Sequence, residues 1–302
     1  MDRGKNNKYI FIIGAQKSGT TTLHNLLSKH NQISLPKIKE THFFSHDEVF
    51  SKGFNWYLNQ FNLDNKIICE ADPSYLFFEK SAIRIKSSIQ DPKFIIIFRK
   101  PLDRALSHYL MSFYRGFEDL SFFDALESEK NRLKQDKHLF SFIHHSYLAR
   151  GNYVKQLEVY LNNFKKSNFL FIKFEDLISN GDGRIIDSIC NFIDIDNNYD
   201  AIKIPESNKK RKIRSTMVRD LLYKDTFFKK AISTIIPSDE IKLKLKNIID
   251  LFNSKDYSKS ESKQLIEESL SRLPQKYFIW NDEQAQLLSS VTGLDLSNWK
   301  YN

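Results

Sequence analysis

A loop near the amino terminus carries the residue types of an anion-binding site. In "FIIGAQKSGTTTLHNLL" an apolar stretch ends at Gly14, and leucines recur at helical spacing after the loop. Backbone N–H groups and the helix dipole at such a strand–loop–helix junction favour phosphate. A helix cap needs only one Ser or Thr, so we predict anion binding here. The candidate residues are Lys17, Ser18, Gly19, Thr20, Thr21 and Thr22.

The lysine of this loop does not stand where a Walker A loop has it. In G-x-x-x-x-G-K-[ST] the lysine follows the second glycine, but here Thr20 follows Gly19 and Lys17 comes before it. A nucleotide kinase would also need an acid that holds Mg²⁺ at the end of a buried strand. Glu70 and Asp72 in "KIICEADP" keep that possibility open. We expect metal-free chemistry, with a variant P-loop nucleotide kinase as the alternative.

A second anion motif follows a buried strand in "IIIFRKPLDRALSHYL". Arg99 ends the strand, and Ser107 lies eight residues later in the helix that begins at Pro101. The carboxyl ends of strands are where ligands bind in open α/β sheets, and the planar guanidinium group suits phosphate. The alternative is a surface ion pair between Arg99 and Asp103 with a serine on the helix surface.

Apolar runs and helical patterns alternate around these motifs, which predicts the fold class. The runs at 9–13, 66–73, 93–101 and 168–177 have the continuous apolar character of strands buried on both faces. Strands that alternate with helices indicate an α/β fold with a parallel β-sheet flanked by helices, which is P-loop-like.

The last third of the chain is predicted to be helical. After about Asn197 the strand signals fade, and three helical patterns follow. The third, "NDEQAQLLSSVTGL", has Asn281 as its expected N-cap and Gly293 as its expected C′ residue. Because no Pro/Gly/Ser linker intervenes, we predict one domain over 1–302, with a core of 8–200 and a helical C-terminal extension of 201–302.

Composition and charge restrict the remaining functional classes. Of the 302 residues 41% are hydrophobic, and the formal net charge is +9, which suits either a solvated lysine-rich surface or an anionic ligand. A nucleic-acid binder has only this charge in its favour, because no stretch interleaves aromatic and basic residues. Cys69 and Cys190 lie in apolar runs, so we expect buried free thiols. The apolar amino-terminal stretch is too short for a signal or membrane segment, and we expect a cytoplasmic protein.

The motifs together resemble the sulfotransferases that use 3′-phosphoadenosine 5′-phosphosulfate (PAPS). "GAQKSGTTTL" is similar to that family's 5′-phosphosulfate loop, and "FRKPLDRALSHY" is similar to its 3′-phosphate motif. "KETHFF" and "EADPSYLF" resemble segments of the heparan-sulfate-type carbohydrate enzymes. "YLARGNYVKQLEVYLNNF" and "GLDLSNW" are similar to bacterial members.

The resemblance implies a reaction and roles for particular residues. A sulfuryl group would pass by in-line displacement to a hydroxyl or amine of an acceptor, a carbohydrate or a small molecule, without a metal. Lys17 would stabilise the bridging oxygen of the donor. Glu40, with His42 beside it, would take the proton from the acceptor. Glu70 and Asp72 are the rival bases, and the alternative for Glu40 is an ion pair with Lys37 or Lys39.

Two further features of the resemblance concern the cofactor and the acceptor. The basic loop "NKKRKIRS" would close over the 3′-phosphate through Arg211 and Arg214, unless it is a solvated lysine run. Ala71 in "EADPSY" stands where the family often has a basic residue. This departure affects what the acceptor side of the site can bind.

Overall fold

A computed structural model of the protein describes residues 7–136, 139–179, 184–196, 211–213, 254–256 and 259–301. The chain divides into two units. The first comprises Met1–Arg104, Ala149–Glu206 and Lys276–Asn302, and the second comprises Ala105–Leu148 and Ser207–Gln275. The predicted single domain with its core and extension stays a prediction.

A parallel sheet forms the centre of the first unit. Its strands are β1 Lys8–Gly14, β2 Ile33–Ser34, β3 Ile67–Ala71, β4 Lys93–Phe98 and β5 Phe169–Lys173. Their order is β2-β3-β1-β4-β5, and every neighbouring pair is parallel. In register, Ile10 lies between Cys69 of β3 and Lys93 of β4. The predicted parallel sheet is confirmed.

Both faces of the sheet are covered by apolar side chains. Alternate residues of β1 enter two separate cores, because successive side chains of a strand point to opposite faces. Tyr9 and Phe11 pack into one core, and Ile10 and Ile12 pack into the other. This explains why the strands are apolar throughout instead of alternating. Cys69 and Cys190 are buried free thiols, as predicted.

Short helices connect the strands of the first unit and supply the other half of these cores. They are α1 Thr20–Leu27, α2 Asp47–Phe50, α3 Phe54–Leu58, α4 Ser74–Phe77, α5 Lys80–Ser88, the first residues of α6 Pro101–Tyr114, α9 Tyr153–Leu161, α10 Phe174–Ile178, α11 Arg184–Ile193 and, from Lys276 on, α13 Gln275–Thr292. Three-residue 3₁₀ turns occur at Ala149–Gly151, Lys166–Asn168 and Ser297–Trp299.

The second unit contains α6 from Ala105 on and further helices. They are α7 Phe122–Gln135, α8 Phe140–His144 and α12 Lys259–Ser271. The Ser121 hydroxyl accepts from the Asp124 N–H and caps α7. A short antiparallel pair, β6 Arg211–Ile213 and β7 Ser254–Asp256, was not predicted. The helical C-terminal part is confirmed by α12 and α13, while the other two predicted helices lie outside the described residues.

One predicted helix boundary is wrong. Asn281 does not cap α13, which already begins at Gln275, immediately after Pro274. Asn281 is instead buried inside the helix, where its amide accepts from the Leu102 N–H at 3.1 Å and donates to the Trp299 carbonyl at 2.8 Å. The end of the helix is as predicted: Gly293 has a φ of +79° and donates its N–H to the Ser289 carbonyl.

We predict that Asn281→Ala destabilises the protein by about 1–3 kcal/mol, because it leaves a buried backbone N–H and a buried carbonyl without their partners. Urea unfolding measures the free energy. Gln286→Ala is the matched control, since Gln286 is exposed on the same helix. Equal stability of the two variants would contradict a structural role for the Asn281 amide.

Candidate active site

The amino-terminal loop joins strand β1 to helix α1, as predicted from the sequence. Gly19 has a φ of +91°, and a Cβ there would lie 3.2 Å from side-chain atoms of both Leu177 and Phe174. Only glycine adopts this conformation without strain. The first N–H groups of α1 have no partner within the helix, and the hydroxyls of Thr20, Thr21 and Thr22 lie beside them in sequence. Backbone donors and hydroxyls therefore converge where the helix dipole is positive.

Lys17 and Arg99 are brought together at the ends of β1 and β4. Lys17 is half-buried and has a φ of +71°, and its carbonyl accepts from Arg99 Nη1 at 3.2 Å. The Arg99 guanidinium lies 4.8 Å from the centre of the Phe174 ring. The Arg99 carbonyl accepts from the Tyr153 hydroxyl at 2.8 Å, and the buried Ser18 hydroxyl adjoins the same Tyr153. Arg99 thus fixes the shape of the loop.

The segment Lys39–His42 reaches the same end of the sheet in an unusual backbone conformation. Glu40 has a φ of +60° and His42 a φ of +55°, values that residues with a side chain adopt at a cost. Two buried carboxylates of the β3 end hold this conformation. The Thr41 N–H donates to Glu70 at 2.9 Å, and the His42 N–H donates to Asp72 at 2.9 Å.

Asp72 has both carboxylate oxygens occupied and is fully buried. Oδ1 accepts from the Ser74 N–H at 3.0 Å, while Oδ2 accepts from the His42 N–H and lies 2.8 Å from His42 Nδ1. Burial raises the pKa of Asp72, but the charge and hydrogen bonds of His42 outweigh it and hold the pKa below its usual range. These contacts leave Asp72 poorly placed to take a proton from an acceptor.

His42 is a cation at neutral pH. Burial lowers the pKa of His42, but the charge and hydrogen bond of Asp72, with the charges of Glu40 and Glu70, raise it to about 9. At neutral pH this raised pKa favours the charged imidazolium of His42, whose charge interacts with that of Glu40. The neighbouring His46 ring lies 4.7 Å away, and burial with the charge of His42 lowers the pKa of His46 to about 4.

Glu70 is the second buried carboxylate at this end of the sheet, and Glu40 differs from it in exposure. Glu70 is fully buried, and its oxygens accept from the Thr41 N–H and from the Tyr75 hydroxyl at 2.9 Å. Burial and the nearby charge of Asp72 raise the pKa of Glu70 to about 7. Glu40, by contrast, has 32% of its side chain exposed and pairs with Lys39 at 3.1 Å. Lys37 bonds the Asn59 carbonyl instead.

Two buried arginines at this site were not singled out in the sequence. Arg104 and Arg150 are 0% and 2% exposed, and the Arg150 guanidinium lies 4.2 Å from the centre of the Phe77 ring. Burial and the charge of Arg104 lower the pKa of Arg150 to about 9, against the opposing charges of Asp72 and Glu40. Both arginines lie within motifs quoted above, but the motifs do not indicate that these side chains are buried, because arginine is usually solvent-exposed.

The remaining predicted cofactor residues lie outside the first unit. Ser107 is half-buried on α6 in the second unit. Arg211 lies on β6, of which only the backbone is described, and Arg214 lies outside the described residues. Their roles stay predictions.

Within the ranges given above, no group of His, Cys, Asp or Glu side chains is arranged to hold a metal ion. No helix in the described part of the chain is long and apolar enough to cross a membrane.

The family model described as "Sulfotransferase domain" matches residues 7–234, which is most of the chain. The chain belongs to the sulfotransferase family. Membership of this family favours the predicted sulfotransferase over the alternative nucleotide kinase.

Several curated sulfotransferases are similar to this chain. Human heparan sulfate glucosamine 3-O-sulfotransferase 3B1 is 34% identical over 178 residues, which cover 58% of this chain and 43% of that protein. The membrane-associated sulfotransferase kil1 of Dictyostelium discoideum is 37% identical over 106 residues, which cover 33% of this chain and 22% of that protein. The match thus spans less than half the length of these relatives.

A solved sulfotransferase has the same fold over nearly the whole length. The enzyme from Alicyclobacillus acidocaldarius matches with a TM-score of 0.65 and 22% identity, and the match covers 97% of this chain and 98% of that one. The fold class predicted from the sequence is confirmed.

We predict that Asp72→Asn abolishes the charge of His42 at neutral pH. Without the Asp72 carboxylate, the effect of burial dominates, so the pKa of His42 falls from about 9 to 6.5 or below. NMR titration of ring-labelled histidine measures this pKa. Because the folded-state pKa of His42 is raised, the pair stabilises the fold fully just below pH 6.5 and loses this effect as pH rises through about 9. The lowered pKa of Asp72 sets the acid limit of this stabilisation.

Asp47→Asn is the control for this titration, since it removes an exposed carboxylate that pairs with Lys80 and Arg84. It should leave the pKa of His42 unchanged. An Asp72→Asn variant whose His42 still titrates near 9 would contradict the pairing.

Proposed function

We propose that this sulfotransferase moves a sulfuryl group from PAPS to a hydroxyl or amine of an acceptor. The observation that carries the proposal is the meeting of a phosphate-type loop, a lysine within it and a partly exposed carboxylate. Lys17 belongs to the loop, and Glu40 is held near it by Lys39, which bonds both Glu40 and Thr21. The two bonds of Lys39 support the proposal that the loop and Glu40 act on the same bound donor.

The donor set of the loop fits a phosphosulfate. The N–H groups and hydroxyls at the start of α1 would hold the 5′-phosphate, as helix N-termini hold phosphates in general. Arg99 shapes the loop and, with Ser107, Arg211 and Arg214, is our proposed set for the 3′-phosphate. When bound, PAPS supplies an activated sulfuryl group on a phosphate leaving group.

Each residue of the site has a proposed part in the in-line displacement. Glu40 takes the acceptor proton while the acceptor oxygen or nitrogen bonds to sulfur. Lys17 stabilises the charge that develops on the bridging oxygen as its bond to sulfur breaks. The positive charge of His42, which Asp72 maintains, offsets the negative charge of the donor. The pairing of His42 with Asp72 also orients the segment that carries Glu40. We propose that no metal is required.

The acceptor we propose is a carbohydrate, either a polysaccharide or a smaller sugar-containing molecule. The proposal is supported by the similarity to the heparan sulfate glucosamine 3-O-sulfotransferases. We do not propose a nucleic-acid partner, and the cytoplasmic localisation stays a prediction.

We predict that adenosine 3′,5′-bisphosphate, the product of the donor, raises the melting temperature without any metal. At a bisphosphate concentration of one hundred times the dissociation constant, binding to the folded state alone raises the free energy of unfolding by about 2.7 kcal/mol. A thermal-shift titration in the presence of EDTA measures the effect, with ATP and Mg²⁺ as the comparison. Stabilisation by ATP with Mg²⁺ but not by the bisphosphate would refute the proposed donor.

We predict that Glu40→Gln lowers the turnover of sulfuryl transfer by about 10²–10⁴, because the amide cannot accept the proton. Binding of the bisphosphate should survive, since Glu40 does not belong to the phosphate loop. Transfer of labelled sulfate to an acceptor measures turnover, and Glu48→Gln on the exposed surface is the matched control. Near-normal turnover in Glu40→Gln together with loss in Asp72→Asn would move the base to Asp72.

A further inference from the structure

The ammonium group of Lys39 joins the two halves of the site. Its Nζ donates to Thr21 Oγ1 at 2.7 Å and to Glu40 Oε1 at 3.1 Å. Thr21 lies in the first turn of α1, and Glu40 is the proposed base. A single side chain therefore spans from the phosphate-type loop to the carboxylate, although Thr21 and Lys39 are eighteen residues apart.

The ammonium has a donor left over after these two bonds. A lysine ammonium carries three N–H donors. Among the described residues, the Lys39 ammonium donates to Thr21 and Glu40. The side chain is 33% exposed, so the remaining donor can meet a bound molecule. The positive charge also acts on the start of α1: together with burial it lowers the pKa of His24 to about 4.

We propose that Lys39 is a second catalytic cation, which binds an oxygen of the transferring sulfuryl group and orients Glu40 toward the acceptor. This rests on the proposed function. The position of the ammonium, between a residue of the loop and the base, is where the transferring group of an in-line reaction has to pass.

The attraction between the Lys39 ammonium and the sulfuryl oxygens strengthens as the reaction proceeds. In the resting site the ammonium is paired with the Glu40 carboxylate. The acceptor oxygen or nitrogen bonds to sulfur, the bond from sulfur to the bridging oxygen breaks, and the acceptor proton passes to Glu40. Once Glu40 is neutral, the unbalanced charge of Lys39 attracts the sulfuryl oxygens more strongly. An interaction that strengthens toward the transition state accelerates the chemical step.

Lys39→Met tests the proposal, because it removes the charge and keeps the length of the side chain. The bisphosphate product lacks the sulfuryl group, so its dissociation constant should change by less than about twofold. The dissociation constant of PAPS, measured without acceptor, should rise about three- to fivefold. Turnover should fall about a hundredfold.

Lys37→Met is the matched control, since Lys37 lies two residues earlier, is exposed and bonds only the Asn59 carbonyl among the described residues. It should resemble the wild type in all three measurements. Lys39→Gln provides a second variant if Lys39→Met does not fold, because its amide can still donate to Thr21. In Lys39→Gln, too, the dissociation constant of PAPS should rise while that of the bisphosphate stays nearly unchanged.

Two results would overturn the role of Lys39. One is a variant that behaves like Lys37→Met. The other is a variant that weakens PAPS and the bisphosphate equally, because Lys39 would then support only the shape of the loop. If the wild-type protein binds neither nucleotide, the proposed function itself fails, and this outcome is separate from any effect of Lys39.

Discussion

The bond between Asp72 and His42 is the constraint on which the arrangement of the site depends. Burying a carboxylate is costly unless its oxygens accept hydrogen bonds or contact a cation. Asp72 accepts a hydrogen bond from the His42 N–H and forms an ion pair with the His42 ring. Glu70 holds the Thr41 N–H in the same way. Together these carboxylates keep Glu40 and His42 at positive φ, so the strained segment is a consequence of the end of strand β3. The two carboxylates position the site, and Glu40 is the one that remains accessible.

The sheet and the loop could be predicted because their signals are local. The glycines at either end of the loop, the run of hydroxyl side chains and the continuous apolar strands each lie within a few neighbouring residues. The site residues of the loop and Arg99 then follow from the rule that strand ends of a parallel sheet lie at one edge. In the structure Arg99 does reach the loop, through the Lys17 carbonyl.

The resemblance favours Glu40 as the base, but the sequence alone does not show how Glu40, Glu70 and Asp72 differ in burial and pairing. Glu40, Glu70 and Asp72 all lie near plausible site segments, and what separates them is pairing across about thirty residues and burial. The same holds for Asn281, whose long-range bonds to Leu102 and Trp299 override its local preference for a helix cap. The burial of Arg150 could not be read from its motif either. Its charge acts on Asp72 and Glu40, near the strand end where Ala71 provides no basic side chain.

The role of the β3 carboxylates is tested most directly by a crystal structure of the protein with adenosine 3′,5′-bisphosphate and an acceptor oligosaccharide. We expect the 5′-phosphate at the N–H groups of Thr20–Thr22, the Glu40 carboxylate within hydrogen-bonding distance of an acceptor hydroxyl, and Asp72 still bonded to His42. An Asp72 carboxylate released from His42 and bonded to the acceptor hydroxyl would contradict this arrangement, as would a nucleotide bound away from the loop.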